Sequence, residues 1–247
     1  VNSSEMWLKL PWKTLSKETS RLQRRIYKAS RNNLLLSQKQ EGLAKTLDLQ
    51  KLLLHSYSAR MIAIRQVTQL NEGKKTAGMD GKLALTNAER FMLEEKLHQQ
   101  VKKWQHQDLR KVPIPKSNGK TRMLKIPTIA DRAWQCLVKL ALEPAHEAEF
   151  HERSYGFRPG RSTHDAQKFL FHHLRSPSNG KDKRVIELDI EKCFDRINHQ
   201  TMLDKAMTPK WVKDRLRQCL NAGIHPDYPK QRTPQGGVIR PLLANIA

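Results

Sequence analysis

The clearest strand pattern in the sequence is Arg184-Val-Ile-Glu-Leu-Asp-Ile190. Apolar and acidic side chains alternate along it, and this period of two residues is typical of a β-strand that buries one face. The buried face would carry Ile186, Leu188 and Ile190. Glu187 and Asp189 would lie on the opposite face, so the sequence predicts a strand with a carboxylate near its end.

Asp189 and Asp195, which follows six residues later, are candidate ligands for a metal ion. Mg²⁺ prefers one or two protein carboxylates together with phosphate oxygens of a substrate. An aspartate at the end of a strand can also cap a turn or pair with a nearby arginine. The residues alone leave both interpretations open.

Helical patterns flank this strand in the chain. Apolar residues recur every three or four positions over 129–143, 163–175 and 198–221, which predicts three helices. Ser162 or Thr163 would cap the second helix, because a hydroxyl side chain there can accept a hydrogen bond from the first turn.

A hairpin is predicted over residues 111–126. Two short strand-like runs, Val112-Pro-Ile-Pro115 and Met123-Leu-Lys-Ile126, flank an Asn118-Gly119 pair, which is a strong hairpin signal. The two prolines cannot donate to a neighbouring strand, so they favour an edge position for the first run. The hairpin would carry four cations, at Lys116, Lys120, Arg122 and Lys125.

The N-terminal part of the chain is predicted to be helical. Residues 13–33 combine an apolar stripe with many arginines, which predicts a basic helix, and residues 40–70 are predicted to form one longer helix. Three glycines predict a loop over 71–81. A further helix is predicted over 86–103, with Thr86 as its cap and Phe91, Leu93 and Leu97 as its buried positions.

The charge of the chain is its strongest compositional feature. The 247 residues include 46 Lys and Arg against 24 Asp and Glu, which gives a net charge of +22. Such an excess favours nucleic acid as the partner, although a solvated basic surface, as in some ribosomal or membrane-surface proteins, remains the alternative. The three cysteines form no metal-binding pair, and their odd number favours a reducing, intracellular compartment. No apolar run is long enough for a membrane span.

Two glycine-containing loops are candidate binding segments. Tyr155-Gly-Phe-Arg-Pro-Gly-Arg161 combines aromatic and arginine side chains, which suit single-stranded nucleic acid through stacking and phosphate contacts. A packed loop before a helix would explain it equally well. Gln235-Gly236-Gly237 would let the backbone approach a ligand closely, or would be a plain turn.

Four characteristic segments follow one another along the chain, at residues 114–135, 155–162, 188–199 and 234–246. Together they resemble the reverse transcriptases encoded by group II introns, which are intron maturases. The resemblance extends over nearly the whole chain, because Lys75-Thr-Ala-Gly-Met-Asp-Gly81 and the basic N-terminal helices are similar to the N-terminal extension of that family.

The resemblance implies an α+β fold, that of a right-hand polymerase. Residues 1–80 would form a basic helical N-terminal extension that binds RNA. Residues 81–183 would form the fingers with the nucleotide-contacting hairpin. Residues 184–247 would form the first part of the palm, which carries the first catalytic aspartate.

The resemblance also implies the residues of a nucleotide site. The incoming nucleotide would be contacted by Lys116, Arg122, Phe194, Gln235 and Gly236, with Phe194 beside the sugar 2′-hydroxyl. Asp189 would be the first catalytic metal ligand, and the backbone carbonyl of Ile190 would help to hold the metal. The metal expected in a completed site is Mg²⁺.

RNA would bind at two places. The cations of the first predicted helix would hold intron RNA, and they are Arg21, Arg24, Arg25, Lys28 and Arg31. Arg158 and Arg161 would contact the template or the core of the fingers. The implied partners are group II intron RNA or another structured RNA, and a primer-template.

Two departures from the family pattern affect these expectations. Arg240 stands where the family usually has a small serine, so a long cation would crowd the primer-template or find a new phosphate. No Tyr-Ala-Asp-Asp segment is present, and two-metal chemistry needs carboxylates from more than one strand. We therefore expect no DNA synthesis by this chain alone.

A second chain that supplies the remaining palm and thumb would restore synthesis. The alternatives are a truncated, non-catalytic RNA-binding maturase and a structural ribonucleoprotein subunit. The expected location is a bacterial cytoplasm or an organelle, with no membrane involved.

Overall fold

The computed structural model describes residues 3–33, 39–115, 119, 121–175, 184–190, 196–222, 224–225 and 237–247. At Asn33, Lys39, Arg122, Ile224 and His225 it describes the backbone only. None of the helices in these ranges is both long enough and apolar enough to cross a bilayer.

The first part of the described chain is helical. Its α-helices are α1 (Ser3–Leu8), α2 (Trp12–Asn33), α3 (Lys39–Leu54), α4 (Tyr57–Arg65) and α5 (Asn87–Gln100). A π-helical turn at Gln66–Leu70 extends α4, and 3₁₀ turns follow at Glu72–Lys75 and Val101–Lys103. The helix predicted over 13–33 is confirmed by α2, whose buried residues include Leu15, Ile26 and Ala29.

The single helix predicted over 40–70 is wrong, because the chain turns between α3 and α4. Apolar side chains are buried on both sides of this turn, so the apolar pattern continues across it. The turn is stabilised by Arg60, whose Nη1 donates to the carbonyl of His55 at 2.7 Å. Arg60 also forms a buried ion pair with Glu94 of α5.

The predicted helix after residue 86 and the predicted hairpin are both confirmed. Thr86 and Glu89 form a reciprocal capping box at the start of α5. Strands β1 (Leu109–Pro115) and β2 (Thr121–Ile126) pair antiparallel, with Ile114 opposite Arg122.

The edge position predicted for β1 holds for only part of the strand. Strand β3 (Ile224–His225) pairs parallel with Leu109 and Arg110, so β1 is central in the order β2-β1-β3. The partners of β3 lie before Pro113 and Pro115, which leaves both prolines at positions where no donor to β3 is needed.

Helix α6 (Ile129–Glu147) runs through the centre of the core and continues past the predicted end at residue 143. Pro144 lies inside it and removes the N–H that would donate to the carbonyl of Leu140. Gln23 of α2 replaces that donor, with its Nε2 at 3.0 Å from the Leu140 oxygen. Ser30 donates to the carbonyl of Ala145 at 2.9 Å, so two hydrogen bonds fix α2 along α6.

Further helices in the described part of the chain are α7 (Thr163–Leu174), α8 (His199–Lys205), α9 (Lys210–Leu220) and α10 (Arg240–Ile246). Ser162 caps α7, as one of the two predicted residues. The single helix predicted over 198–221 is wrong, because Pro209 cannot continue α8 and instead precedes α9.

The strand predicted over residues 184–190 is also wrong in this structure. The segment has no regular secondary structure, and Leu188 is 88% exposed. A strand needs hydrogen-bonding neighbours and a layer that covers its apolar face. Among the described residues the strands pair only with one another, so nothing there covers this segment.

Candidate nucleic-acid interface

One face of α2 carries a row of cations, which we name the α2 basic stripe. The row comprises Lys17, Arg21, Arg24, Lys28 and Arg31, and all five side chains are exposed. Successive members are four or three residues apart, so they line one face of a helix. With a rise of about 1.5 Å per residue, the stripe is roughly 21 Å long.

The stripe is strongly positive along its length. Arg25 lies beside it and completes a shallow groove lined by Lys17, Arg21, Arg24, Arg25 and Lys28. Glu18 is the only acidic residue of α2, and it accepts a hydrogen bond from Ser58 of α4. Glu18 is thus paired with a neighbouring helix and is not among the residues that line the groove, all of which are cations.

A buried polar network fixes the start of α6 against the base of the hairpin. Asp131 Oδ1 accepts from Trp104 Nε1 at 2.8 Å and contacts His106 Nδ1 at 3.1 Å. Its Oδ2 accepts from Thr128 Oγ1 at 2.8 Å. Burial alone would raise the pKa of Asp131, but the hydrogen bonds and the charge of His106 outweigh it and hold the pKa below its usual range. The carboxylate therefore stays ionised, and Trp104 and His106 lead directly into β1.

The loop before α5 is held to the same end of α6. Arg132 donates to the carbonyls of Gly73 and Thr76 at 2.6 and 2.7 Å. A Cβ atom at Gly78 would lie 2.5 Å from Thr128 Cα, so only glycine allows this approach. Sequence reasoning gave no role to Asp131 or Arg132, although the Thr128-x-x-Asp131 spacing is a helix-start signature that could have identified Asp131.

The nucleotide site implied by the resemblance falls largely outside the described residues. Lys116, Phe194, Gln235 and Gly236 lie there, and Arg122 is described by its backbone alone, opposite Ile114. Gly237, which follows the glutamine-glycine pair, packs on α6. Gln135 of α6 accepts from the N–H of Val238 at 2.9 Å, so this buried glutamine fixes the end of the segment. Sequence reasoning gave Gln135 no role.

Asp189 and Ile190 lie on the irregular, exposed segment 184–190. Within the described ranges, no three or more His, Cys, Asp or Glu side chains are grouped so that they could hold a metal ion. Asp195 lies outside the described residues, and the metal-binding role of Asp189 and of the Ile190 carbonyl remains a prediction.

The two arginines predicted to bind RNA beyond α2 lie in different surroundings. Arg158 is 6% exposed and forms a two-point ion pair with Glu147, with N–O distances of 3.0 and 2.6 Å. It also donates to the carbonyls of His151 and Ser154. This geometry buries the Arg158 side chain against the end of α6, where it fixes the loop, and its contact with a template remains a prediction. Arg161 is half-buried and donates to the carbonyl of Glu152 at 2.8 Å.

Arg240 is 8% exposed at the first position of α10. It borders a small pocket with Ile197, Met202, Leu220 and Leu243, between α8, α9 and α10. The guanidinium therefore lies among helices, and the predicted crowding of a primer-template has no support in this placement.

Two family models match the chain. Residues 7–97 match the N-terminal domain of reverse transcriptase, and residues 114–247 match reverse transcriptase (RNA-dependent DNA polymerase). The second match covers more than half of the chain, and it includes β2, α6 and α10.

Curated relatives point to the same family. The chain is 36% identical to maturase-like protein 1 of Euglena gracilis over 81% of its own length and 43% of the relative. It is 36% identical to protein YkfC of Escherichia coli over 73% of its length and 50% of the relative. It is also 36% identical to the group II intron-encoded protein LtrA of Lactococcus lactis over 57% of its length and 24% of the relative.

The chain thus spans half or less of the length of these relatives. Its fold is α+β, with the fingers and part of the palm, and enzymes with this domain generally use divalent metal ions. The chain belongs to the reverse transcriptase family and, within it, to the maturases encoded by group II introns.

Proposed function

We propose that this chain binds the RNA of a group II intron and helps it to splice, through the α2 basic stripe. The observation that carries the proposal is the row of five exposed cations, roughly 21 Å long, on a helix fixed to the core by two hydrogen bonds. Because the helix is already fixed, its backbone loses little conformational freedom when the cations bind phosphates. The names of the relatives support an intron as the source of the RNA.

The test is the salt dependence of RNA binding. Binding to a folded RNA should weaken steeply with salt, because each neutralised phosphate releases counterions. The triple variant Arg21→Gln, Arg24→Gln, Lys28→Gln should lower the slope of log affinity against log salt by about 2 to 3. Fluorescence anisotropy with a labelled hairpin RNA measures both quantities.

The matched control removes three exposed lysines away from the stripe, at Lys45, Lys102 and Lys103. This control variant has the same net charge as the first but should keep nearly the parent slope. If the two variants had equal slopes of log affinity against log salt, net charge alone would explain RNA binding, and the α2 basic stripe would not be the binding site. If the affinity of the parent protein for RNA did not change with salt, the proposal that charge drives RNA binding would be wrong.

DNA synthesis is the second part of the proposed function, and it requires a complete palm. Residues 1–80 would bind RNA, 81–183 would form the fingers, and 184–247 would begin the palm. A longer form of this protein, or a second chain with a Tyr-Ala-Asp-Asp segment, would supply the neighbours that segment 184–190 lacks here. Asp189 and the Ile190 carbonyl would then hold Mg²⁺.

The nucleotide contacts proposed for the completed site are those of the finger hairpin and of the glycine segment. They comprise Lys116, Arg122, Phe194, Gln235 and Gly236. Cationic groups at the hairpin suit this role because charge builds up on the transferring phosphates. The hydrogen bond from the N–H of Val238 to Gln135 supports this role, because it fixes the backbone two residues after Gly236.

The test of this second part is nucleotide addition on an RNA template by the completed assembly. Asp189→Ala should abolish addition and leave RNA binding unchanged. Glu187→Ala, two residues away on the same exposed segment, is the matched control and should retain activity. Equal activity of Asp189→Ala and the parent would remove Asp189 from the metal site.

A non-catalytic RNA-binding maturase, or a structural ribonucleoprotein subunit, is the alternative. It needs only the α2 basic stripe, whose five exposed cations lie on a helix that is fixed to the core. RNA binding through the stripe without any nucleotide addition, even with a Tyr-Ala-Asp-Asp partner, would support this alternative.

A further inference from the structure

Phe157 has an unusual backbone and an unusual exposure. Its φ is +57°, and it is the only residue other than glycine with a positive φ among the described residues. Its side chain is 72% exposed. A bulky residue in the left-handed region is a true outlier, and a large exposed apolar ring gains little from folding.

Folding alone does not explain a phenylalanine at this position. A left-handed backbone costs a non-glycine residue stability, and glycine would adopt the same conformation without that cost. The chain already uses glycine for the left-handed turn at Gly160, three residues later. Strain that persists at an exposed side chain points to a role outside the fold.

The loop that holds Phe157 is fixed on both sides. The next residue, Arg158, is anchored by its ion pair with Glu147 and its bonds to two loop carbonyls. The preceding residue, Gly156, accepts from Asn245 Nδ2 of α10 at 2.9 Å. The backbone of Phe157 is therefore clamped between α6 and α10, and its ring is presented to solvent at a fixed place.

The loop that holds Phe157 carries two further arginines and lies beside the predicted nucleotide segment. Apart from Arg158, which Glu147 neutralises, residues 151–161 include the exposed Arg153 and the half-buried Arg161, whose guanidinium lies 5.8 Å from the ring of Tyr155. Helix α10, which holds Gly156, directly follows the segment that Gln135 fixes at Val238. Aromatic rings among cations are typical of surfaces that bind single-stranded nucleic acid.

We propose that Phe157 is a stacking platform for an unpaired base of the RNA strand. This inference rests on the proposed RNA binding and adds to it a contact with a base, whereas the α2 basic stripe contacts phosphates. An exposed ring in a clamped loop loses little freedom when a base stacks on it, and any base can stack because each has a π-face.

The experiment compares two variants at position 157 with a matched change elsewhere. Phe157→Gly removes the ring and the strain, and Phe157→Leu removes only the aromatic character. Phe171→Leu makes the same chemical change at another exposed phenylalanine, on α7. The probes are a single-stranded oligo(A) RNA and an abasic oligonucleotide of equal length, both measured by anisotropy.

Both variants at position 157 should bind oligo(A) about tenfold more weakly than the parent, since one stacked base is worth about 1–3 kcal/mol. The abasic probe should bind all proteins equally, and Phe171→Leu should match the parent on both probes. The salt slope should stay unchanged, because no charge is removed. Phe157→Gly should keep or raise the melting temperature, whereas a structural role would lower it.

Unchanged affinity of Phe157→Gly and Phe157→Leu for oligo(A) would overturn the proposal and point to a protein partner for the ring. An equal loss on the abasic probe would also overturn it, because the base would then play no part. If the parent itself fails to bind RNA at low salt, the proposed function fails first, so the two failures are distinguishable.

Discussion

Helices α2 and α7 are both amphipathic, yet they differ in what covers their apolar faces. Helix α2 packs its apolar stripe against α3, α4 and α6, and Ile26 is fully buried there. Helix α7 buries none of its side chains, and Leu170, Phe171 and Leu174 are all exposed. The difference shows that amphipathic periodicity predicts a helix, while burial depends on partners elsewhere in the chain.

The same difference separates the two candidate sites. The α2 basic stripe lies on a helix whose other face is fixed, so its cations keep a defined spacing. The predicted metal ligand Asp189 lies on a segment that nothing covers among the described residues. We therefore expect changes behind α2 to cost stability and comparable changes on α7 to cost little.

The largest effect is expected from truncating the core behind α2. Ile26→Ala should lower the free energy of unfolding by about 3 to 4 kcal/mol, because it leaves a cavity between α2 and α6. Leu170→Ala on α7 should change it by less than about 0.5 kcal/mol. Urea unfolding followed by circular dichroism measures both. If the two variants lost similar amounts of unfolding free energy, α7 would be packed in solution, and the proposed difference between α2 and α7 would be wrong.

A slightly smaller effect is expected from pH, at His146 of α6. Burial, with the charge of Lys213 as a second cause, lowers the pKa of His146 from 6.5 to about 4. Its Nε2 accepts from the N–H of Met207 at 3.1 Å, which requires the neutral ring. As pH falls below 6.5 the unfolded chain takes up the proton first, so about 3 kcal/mol of stability should be lost between pH 6.5 and 4.

The control for this pH dependence is the variant His146→Gln, whose amide oxygen can still accept from Met207. Its stability should vary less with pH over the same window, whereas His172→Gln on the exposed helix α7 should follow the parent curve. Parallel curves for His146→Gln and the parent would assign the acid sensitivity to other groups. Chemical unfolding at a series of pH values measures the difference.

Local signals predicted the parts of the fold that local interactions decide. The capping box of Thr86 and Glu89 lies at the start of the helix that it predicts, and the Asn-Gly pair stands in the sequence between the two strands that it predicts. The break between α3 and α4 could not be predicted, because Glu94 anchors Arg60 from another helix. Segment 184–190 has the pattern of a strand, but a strand forms only beside a partner.

The candidate site divides in the same way. The α2 basic stripe could be predicted, since helical spacing alone brings its cations together. For Arg158 the sequence left a contact with the template and a contact with the core of the fingers both open, because its partner, Glu147, belongs to a different element. Phe157 was part of a predicted binding loop, but its positive φ and its exposure are visible only in the structure.

The smallest effect, and the most specific, is expected at the hydrogen bond that compensates for Pro144. Gln23→Met should cost about 1 kcal/mol, because it leaves the half-buried Leu140 carbonyl without a donor. Gln167→Met, the same change at an exposed position of α7, should cost almost nothing.

A double-mutant cycle with Pro144→Ala tests the cause of that loss. Alanine restores the helical N–H to the Leu140 carbonyl, so Gln23→Met should cost less in the Pro144→Ala protein than in the parent. Strict additivity of the two changes would mean that Gln23 stabilises the fold only by packing. A clear coupling energy would show that Gln23, which is 117 residues from Leu140 in the sequence, supplies the hydrogen bond that Pro144 removes from α6. The same hydrogen bond would then fix α2 to α6.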